Sequence, residues 1–421
     1  MPCAMIRIVA LFALIAALAV PAQAQTLVQA IADAYASNPE LAEAGARQEA
    51  IEESPEQARA AGRPTVDLNA GLQTGTGHRG DLTVTSRLPL WTGGRVSAAI
   101  RTAEAEVDAG RQRLREREAA VLEAVVSAFA DILFAQEAER IARIGIERLD
   151  RQVEEAKVRF GSGQATLTDV AQLEAQRAGV VGNLADAQAS LGRARADYLA
   201  VVGKEAAVLE PGSASPRDVP PDLTTARAIA ETDNPRLLER VALSAAAQAR
   251  IGGARAERAP NIDLQATGGQ ASGLGGGGTA LQSERFGTLG VAFRIPLVTG
   301  GLVPSRIREA QANARAEEFA IDAARREAIR TTDGAWASLR GAQLRLQAGQ
   351  QALQSAETAL SGVRAEYELG LRNTLDLLFA EQSLRAAELD VARSRSDVML
   401  AEARLLRAVG RLTATAYDHR D

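Results

Sequence analysis

The sequence contains few of the side chains from which catalytic and metal sites are usually built. It includes one cysteine, Cys3, and two histidines, His78 and His419. Cys3 lies in an N-terminal segment that we expect to be removed, so the mature chain has no disulfide and no thiolate metal site. The histidines are far apart in sequence, which argues against a histidine metal cluster within one chain. We predict no enzymatic activity, no catalytic residue, no metal site and no cofactor.

The chain also lacks a dominant charge and a long hydrophobic run. It has 48 lysine and arginine residues against 53 aspartate and glutamate residues, and the two signs are mixed along the chain. This pattern gives no basic face for nucleic acid, so no nucleic-acid partner is expected. Beyond residue 24, no segment has eighteen apolar residues in succession, which argues against a transmembrane helix.

The N-terminus has the pattern of a secretory signal peptide. Arg7 precedes an apolar run at 8–20, and Ala22-Gln23-Ala24 matches a small-residue cleavage site. An uncleaved anchor is the alternative, but the run is too short to span a bilayer comfortably. We expect residues 1–24 to be removed and the rest to be exported. The mature protein is then either soluble in the periplasm or outside the cell, or it crosses a membrane as strands.

The mature chain is a duplication. An Asn-Pro pair at Pro39 recurs at Pro235, at an offset of 235 − 39 = 196 residues. A Pro-x-x-Thr-Gly-Gly segment at Pro89 recurs at Pro296, at an offset of 296 − 89 = 207 residues. The difference, 207 − 196 = 11 residues, is a glycine-rich insertion at 268–278. These offsets define a first structural repeat and a second one: 25–222, ending in a linker at 203–222, and 223–421.

One glycine motif, Gly75-Thr76-Gly77-His78-Arg79-Gly80, matches the G-x-G-x-x-G pattern of dinucleotide-binding loops. That chemistry needs a helix after the loop, so that the helix N-terminus meets the pyrophosphate. Residues 81–85 instead alternate polar and apolar side chains, as a second strand does. Because loop tips tolerate insertions and the second repeat has one at the corresponding place, we interpret the motif as a hairpin tip.

Four segments alternate apolar and polar residues as β-strands do. They are predicted at about 65–75 and 81–90 in the first repeat, and at about 261–268 and 284–296 in the second. Strands of roughly nine to eleven residues are long enough to cross a bilayer core when they are tilted. An ordinary half-buried sheet packed on helices is the alternative.

Each predicted hairpin is followed by a Thr-Gly-Gly turn, a very long helix, a glycine-marked turn and a return helix. At 1.5 Å per residue the long helices would extend for roughly 95–100 Å, so they must pack lengthwise against other helices, as in coiled coils. The segments ending at Arg63 and Arg258 are expected to be helical too, with a kink or break at Pro55 in the first. The four main helices are predicted at about 95–160, 168–202, 304–369 and 374–409.

Four membrane strands cannot form a closed barrel, and an open sheet in lipid leaves backbone groups without partners, so the chain must associate. The duplicated order of elements, with 87–95 (RLPLWTGGR), its counterpart 295–301 and the turns at 160–169 and 367–376, resembles the TolC-type outer membrane channel family. The resemblance covers essentially the whole mature chain. It implies a mainly α protein with a small β part, in which a homotrimer forms an α-helical barrel continued by a 12-stranded transmembrane β-barrel.

The resemblance also implies a location and a function. The protein would lie in the outer membrane, with a helical tunnel in the periplasm, as the passive duct of a tripartite export system. Its partners would be a periplasmic adaptor and an inner-membrane pump of ABC or RND type. The Asn-Pro segment and the non-acylated start resemble ducts that serve type I protein secretion. A periplasmic adaptor-like protein with a helical hairpin is the alternative, which predicts an inner-membrane anchor or lipid attachment and soluble β-domains.

Residues at the two helical turns match the gate of this family: Thr168, Asp169, Tyr367, Arg372 and Asp376. In a trimer each aspartate would recur three times around a narrow bore, where rings of carboxylates favour cations. Arg372 would pair with a neighbouring Asp169 and hold the helices closed, while Tyr367 and Thr168 add hydrogen bonds. Capping of the return helices, at Thr168 or Asp169, is the alternative, and the two roles can coexist.

The turns also supply exposed tips that, by the same resemblance, touch the adaptor: Gly163, Leu167, Gly370 and Leu371. Turn chemistry alone is the alternative for the two glycines. Trp91, just beyond a strand end, is expected at the membrane interface. Aromatic residues make up only 3% of the chain, so the aromatic girdle of such a barrel would be sparse.

Overall fold

The computed structural model describes residues 25–74, 78–206, 209, 216–274 and 281–417. The expected signal peptide and the centre of the glycine motif, 75–77, lie outside these residues. The described strands are β1 (Thr65–Thr74), β2 (His78–Trp91), β3 (Asn261–Leu274) and β4 (Leu281–Arg294). The described helices are α1 (Leu27–Ser37), α2 (Pro39–Glu52), α3 (Ser54–Ala60), α4 (Arg95–Gly161), α5 (Leu167–Val202), α6 (Leu223–Asp233), α7 (Pro235–Ala256), α8 (Leu302–Glu368) and α9 (Thr374–Val409), followed by a 3-10 turn (Ala414–Tyr417).

The long and return helices have matching lengths in the two repeats. α4 and α8 have 67 residues each, and α5 and α9 have 36 each. Both return helices end at a glycine in the left-handed conformation, Gly203 at φ 79° and Gly410 at φ 81°. Glycine is suited to this position because a Cβ is strained there, and at Gly410 a Cβ would also lie 2.3 Å from the Asp233 carbonyl oxygen. No helix in the described ranges is both long and apolar enough to cross a membrane.

Pro55 interrupts the helix that precedes the first hairpin. α2 ends at Glu52 and α3 begins at Ser54, with the buried Pro55 in the first turn of α3. Proline is tolerated there because the first N–H groups of a helix have no intrahelical partner. The corresponding α7 has no proline after its first residue, Pro235, and continues without a break over 22 residues. The predicted break at Pro55 is therefore confirmed.

The four strands form one antiparallel sheet in the order β1-β2-β3-β4. Thr65, Arg87 and Gln265 lie opposite one another in the register, so their side chains share one face. The neighbouring residues point to the other face, where Val66 and Leu68 are 69% and 66% exposed. The sheet thus has an apolar face that the chain itself leaves uncovered.

The glycine-rich insertion of the second repeat is partly strand, which differs from the prediction. β3 continues to Leu274, whereas the sequence predicted its end at about 268. Gly269 lies opposite Thr83 of β2 and Phe286 of β4, so hydrogen-bonding strands flank it on both sides. Glycine has little strand propensity of its own, and pairing with two neighbouring strands overrides that weakness. The insertion therefore lengthens the second hairpin instead of only enlarging its loop.

The start of β2 and both ends of β4 also differ from their predicted positions, whereas β1 and β3 begin where the sequence predicted. β2 begins at His78 instead of about 81, so the end of the glycine motif lies in a strand, and no helix follows it. The structure thus lacks the helix that a dinucleotide-binding loop requires. β4 runs from Leu281 to Arg294, two residues before Pro296, which has no N–H to give to a sheet.

The chain divides into two compact units, and each unit takes corresponding segments from both repeats. The first unit contains the described residues within Met1–Ala42, Glu116–Asn234 and Ala328–Asp421. The second consists of the described residues within Glu43–Arg115 and Pro235–Glu327, and it includes the sheet. The main core of the first unit joins α1, α4, α5 and α9 to the C-terminal turn through fully buried side chains, among them Ile31, Phe129, Tyr198, Leu406 and Tyr417.

The repeated Asn-Pro pair fixes one end of each return helix. The Asn38 side chain donates from Nδ2 to the Val201 carbonyl oxygen at 2.8 Å, and its Oδ1 accepts from the Glu40 backbone N–H at 2.9 Å. In the second repeat, Asn234 Nδ2 donates to the Ala408 carbonyl oxygen at 2.8 Å. Each asparagine thus satisfies a carbonyl at the C-terminal end of a return helix, where the helix itself provides no partner.

Candidate functional site

In the first unit, the turn between α4 and α5 is closed by a capping box. Thr166 is the N-cap of α5, and its Oγ1 accepts from the Asp169 backbone N–H at 3.2 Å. Asp169 Oδ2 accepts in return from the Thr166 N–H at 2.9 Å and from its hydroxyl at 2.7 Å. The sequence placed the cap at Thr168 or Asp169, but the cap is Thr166, and Thr168 is exposed within the first turn. The signal was present, because Thr-x-x-Asp has the spacing of a capping box.

Asp169 lies in the first turn and close to the second. Hydrogen bonds from the N–H and the hydroxyl of Thr166 lower the pKa of Asp169, and the nearby Thr374 hydroxyl contributes in the same direction. Thr374 is buried at the start of α9. These interactions favour the ionised carboxylate. The negative charge of Asp169 is therefore held by the cap of α5 and lies close to the start of α9.

The turn between α8 and α9 contains Arg372 between two carboxylates. Arg372 Nε donates to Glu366 Oε2 at 2.7 Å, and its NH1 lies 3.8 Å from Asp376 Oδ2. The Glu366 carboxylate raises the pKa of the Arg372 guanidinium, and the Asp376 carboxylate adds a smaller effect in the same direction. The N-cap of α9 is Asn373, whose Oδ1 accepts from the Asp376 N–H at 2.8 Å. Within one chain, Arg372 thus pairs with Glu366 and Asp376, and its pairing with Asp169 of a neighbouring copy stays a prediction.

Tyr367 joins the C-terminal ends of the two long helices. The Arg159 guanidinium carbon lies 4.9 Å from the centre of the Tyr367 ring. This distance is within the range of a cation–π interaction. Because Arg159 belongs to α4 and Tyr367 to α8, the interaction joins the two long helices just before their turns. The sequence predicted Tyr367 as a gate residue but did not predict Arg159.

The side chains of the two predicted tip leucines are largely exposed. Leu167 is 66% exposed and Leu371 is 72% exposed. Gly163 and Gly370 have positive φ, at 74° and 75°, and a Cβ built on either would face open space. The positive φ gives each glycine a turn role, and the exposed leucines place apolar surface beside them.

The residues near the turns include a buried charged cluster that was not predicted from the sequence. Glu381 of α9 is fully buried. It accepts from Gln152 Nε2 of α4 at 2.5 Å and from Arg364 NH2 of α8 at 3.3 Å. Arg385, 10% exposed and one turn further along α9, places its NH1 3.8 Å from Glu381 Oε2. Burial lowers the pKa of the Arg385 guanidinium. One carboxylate thus ties three helices together.

The remaining predicted residue lies in the second unit. Trp91 is the last residue of β2 and is 47% exposed. It lies opposite Ile262, after an irregularity in the register that follows Pro89. In the described part of the chain, no group of three or more histidine, cysteine, aspartate or glutamate side chains is arranged to hold a metal ion.

Comparison with known proteins identifies the family. Residues 30–204 and 228–411 match the outer membrane efflux protein family. The chain is 29% identical over 399 residues to the outer membrane efflux protein BepC of Brucella suis, which covers 93% of this chain and 87% of BepC. It is 25% identical over 417 residues to the outer membrane protein TolC of Escherichia coli, covering 93% and 83% respectively.

A solved structure shows the same fold. The outer membrane protein VceC of Vibrio cholerae matches with a TM-score of 0.73 at 21% identity, over 91% of this chain and 96% of VceC. The matched proteins are described as outer membrane or efflux proteins and not as enzymes. The resemblance inferred from the sequence is thereby confirmed. The chain belongs to the outer membrane efflux protein family, the family of the TolC-type channels, and is a protein of the outer membrane.

Proposed function

We propose that the protein is the outer membrane channel of a tripartite export system. It is a passive trimeric duct, and cargo passes through it from a periplasm-spanning pump complex to the exterior. The energy comes from an inner-membrane pump of ABC or RND type, which a periplasmic adaptor joins to the duct. The observation that supports this proposal most directly is the open four-stranded sheet with its uncovered apolar face.

That sheet requires other copies of the chain. β1 and β4 each have only one neighbouring strand in the order β1-β2-β3-β4, so both edges present backbone groups without ladder partners. In lipid such groups cost several kcal/mol each. Pairing β1 of one copy with β4 of the next removes both edges, and three copies give 3 × 4 = 12 strands, an even number suited to a closed barrel. The exposed Val66 and Leu68 then face lipid.

The gate that we propose consists of Asp169 in one copy and Arg372 in the next. A carboxylate has about four sites that accept hydrogen bonds. Thr166 occupies two of them at Asp169, so capping leaves sites for a neighbouring guanidinium. The role as a helix cap and the role in the gate are therefore compatible.

Arg372 has enough hydrogen-bond donors to pair with Asp169 of a neighbouring copy. A guanidinium carries five N–H donors, and Glu366 and Asp376 engage two nitrogen atoms of Arg372. The side chain is 47% exposed, which leaves it accessible to another copy. Opening would break these contacts, together with hydrogen bonds of Thr168 and Tyr367, and move the return helices outward. The repeated Asp169 and Asp376 would make the narrow end prefer cations.

The exposed tips and Trp91 define the other two contacts that we propose. Gly163, Leu167, Gly370 and Leu371 dock the periplasmic adaptor, because the leucines offer uncovered apolar surface next to tight turns. Trp91 lies at the membrane interface, where an amphipathic indole ring at a strand end is favoured.

Conductance in planar bilayers, combined with the mass of the purified particle in detergent, tests this function. We expect a trimer that conducts poorly, and a variant with Asp169→Asn and Arg372→Gln that opens at least about tenfold more often, because charge-assisted bonds are lost at three equivalent places. Arg325→Gln, which removes an exposed pair with Asp322, is the matched control and should not change opening. A water-soluble monomer without conductance would refute the channel. A conducting trimer with unchanged opening in the double variant would refute the gate alone.

A further inference from the structure

The second unit contains a cavity of about 430 Å³ that none of the proposed channel roles uses. It lies where the end of α3, the beginning of α4 and the adjoining ends of β1, β2 and β3 meet. Three arginines line it: Arg63 after α3, Arg87 on β2 and Arg95 at the start of α4. One carboxylate, Asp263 of β3, lines it with them, so the lining carries more positive than negative charge.

The three arginines differ in how far they are already paired. Arg63 NH2 lies 2.9 Å from Glu56 Oε2, and Arg87 NH2 lies 2.8 Å from Asp263 Oδ2. Asp263 is almost fully buried and also accepts from Asn261 Nδ2 at 2.9 Å, so Arg87 and Asn261 both hold it in place. The half-buried Arg95 guanidinium makes no hydrogen bond or ion pair with any residue that the structure describes.

The cavity lies on the polar face of the sheet. Thr65 and Arg87 both line it, and they are directly opposite each other in the register, so they share a face. Val66 follows Thr65 and therefore points to the opposite, uncovered apolar face. A ligand here would reach the site from the side on which the sheet is polar. This position favours an anion in solution over the headgroup of a lipid that covers the apolar face.

We propose that this cavity is a binding site for a phosphate-type anion. Arg95 supplies an uncommitted guanidinium, whose fork of N–H donors matches two phosphate oxygens. Arg63 and Arg87 each keep further donors beyond the single pair described above. The volume exceeds the ~30 Å³ of a water molecule more than tenfold, which leaves space for the group that carries the phosphate. All of these residues come from one copy of the chain, so the site does not depend on the channel proposed above.

Calorimetric titration of the full-length mature protein in detergent tests the site. The titrants are inorganic phosphate and glycerol 3-phosphate at constant ionic strength, because salt weakens such binding. We expect Arg95→Gln to raise the Kd at least about tenfold and Arg95→Lys, which keeps the charge but not the fork, to raise it less. The matched control is Arg101→Gln, an exposed arginine further along α4 that does not line the cavity. Far-ultraviolet circular dichroism shows that each variant is folded.

Native mass spectrometry of the same preparations separates the two sources of a phosphate group. Phosphate binding in solution that Arg95→Gln weakens supports a soluble ligand. A phospholipid that co-purifies with the wild type and is lost from Arg95→Gln supports the same site with a lipid headgroup. The site is refuted if folded Arg95→Gln binds as the wild type does, if Arg101→Gln loses as much affinity, or if neither phosphate nor phospholipid binds.

Discussion

Replacing Glu381 by alanine tests how the helices are held together behind the turns. The side chain is fully buried, and Arg385 beside it is 10% exposed. Without Glu381, the Arg385 charge stays buried and loses its nearest carboxylate, and breaking a buried pair in this way typically costs about 3–5 kcal/mol. Arg364 is 48% exposed and turns to water at little cost. We therefore expect Glu381→Ala to lower the free energy of unfolding by about 3–5 kcal/mol per chain.

The duplication supplies a matched control. The residue equivalent to Glu381 in the first repeat is Glu174, since 381 − 207 = 174. Glu174 is 53% exposed and lies 3.3 Å from the similarly exposed Lys157. Exposed ion pairs contribute about 0–1 kcal/mol, so Glu174→Ala should have little effect. Replacing Glu381 and Arg385 together by leucine removes both buried charges and should restore most of the stability lost in Glu381→Ala.

Urea unfolding in detergent, followed by circular dichroism at 222 nm, measures these differences. All variants are compared at one protein concentration, because association between copies adds to the apparent stability. A loss below about 1 kcal/mol in Glu381→Ala would contradict this expectation, since the buried arginine would then not depend on its partner. An equal loss in the double leucine variant would show instead that packing, and not charge, sets the cost.

Four further substitutions are expected to alter stability in defined ways, and the same unfolding assay measures each of them. The pKa of Asp169 is lowered in the folded chain, so the ionised carboxylate stabilises the fold at a pH above its unfolded pKa, and this stabilisation is lost as the pH falls through the folded pKa. Thr166→Ala should therefore lower the free energy of unfolding by about 1 kcal/mol at pH 7 and by less at pH 3. Burial raises the pKa of Glu402 to about 7, so stability falls between roughly pH 4 and 7, and Glu402→Gln should be about 1–2 kcal/mol more stable than the wild type at pH 8 but not at pH 4. Asn38→Ala and Asn234→Ala should each cost about 1–3 kcal/mol, because each leaves a carbonyl at a helix end without its partner. The expectation for Thr166→Ala would be contradicted by an equal cost at pH 7 and pH 3, and that for Glu402→Gln by an equal effect at pH 8 and pH 4. The expectation for Asn38→Ala or Asn234→Ala would be contradicted by a stability equal to that of the wild type.

The sequence allowed the helices, the break at Pro55 and the family to be predicted because their signals are local. Proline acts on its own helix, and the capping and turn residues act within a few positions. The fold could also be predicted because each signal occurs twice in the sequence, at offsets that differ only by the insertion. Thr166 shows that a local signal can still be overlooked: its spacing from Asp169 is that of a capping box, yet we placed the cap two or three residues later.

The features that the sequence did not reveal depend on contacts between distant residues. Gln152 contacts Glu381 across 229 positions, and the equivalent glutamate of the first repeat, Glu174, is exposed, so the residue type alone does not predict burial. The extension of β3 likewise depends on strands to either side, because a glycine-rich segment resembles a loop when it is considered alone. The cavity lined by Arg95 joins elements from both repeats, so no single motif marks it.

The different burial of Glu174 and Glu381 implies that the two return helices resist local opening unequally. At their C-terminal ends both are held alike, by Asn38 and Asn234. At their N-terminal ends they differ. Only α9 is tied by a buried carboxylate to α4 and α8, whereas the corresponding glutamate of α5 makes an exposed pair with α4 alone.

Hydrogen exchange measured by mass spectrometry compares the two ends directly. Amides open locally with a free energy that reflects buried contacts, so backbone amides at 170–178 should exchange faster than those at 377–385. Glu381→Ala should accelerate exchange at 377–385 and reduce the difference, while Glu174→Ala should leave it unchanged. Equal exchange in the wild type would mean that the buried cluster does not restrain α9. In that case neither return helix would be the easier one to move when the proposed gate opens.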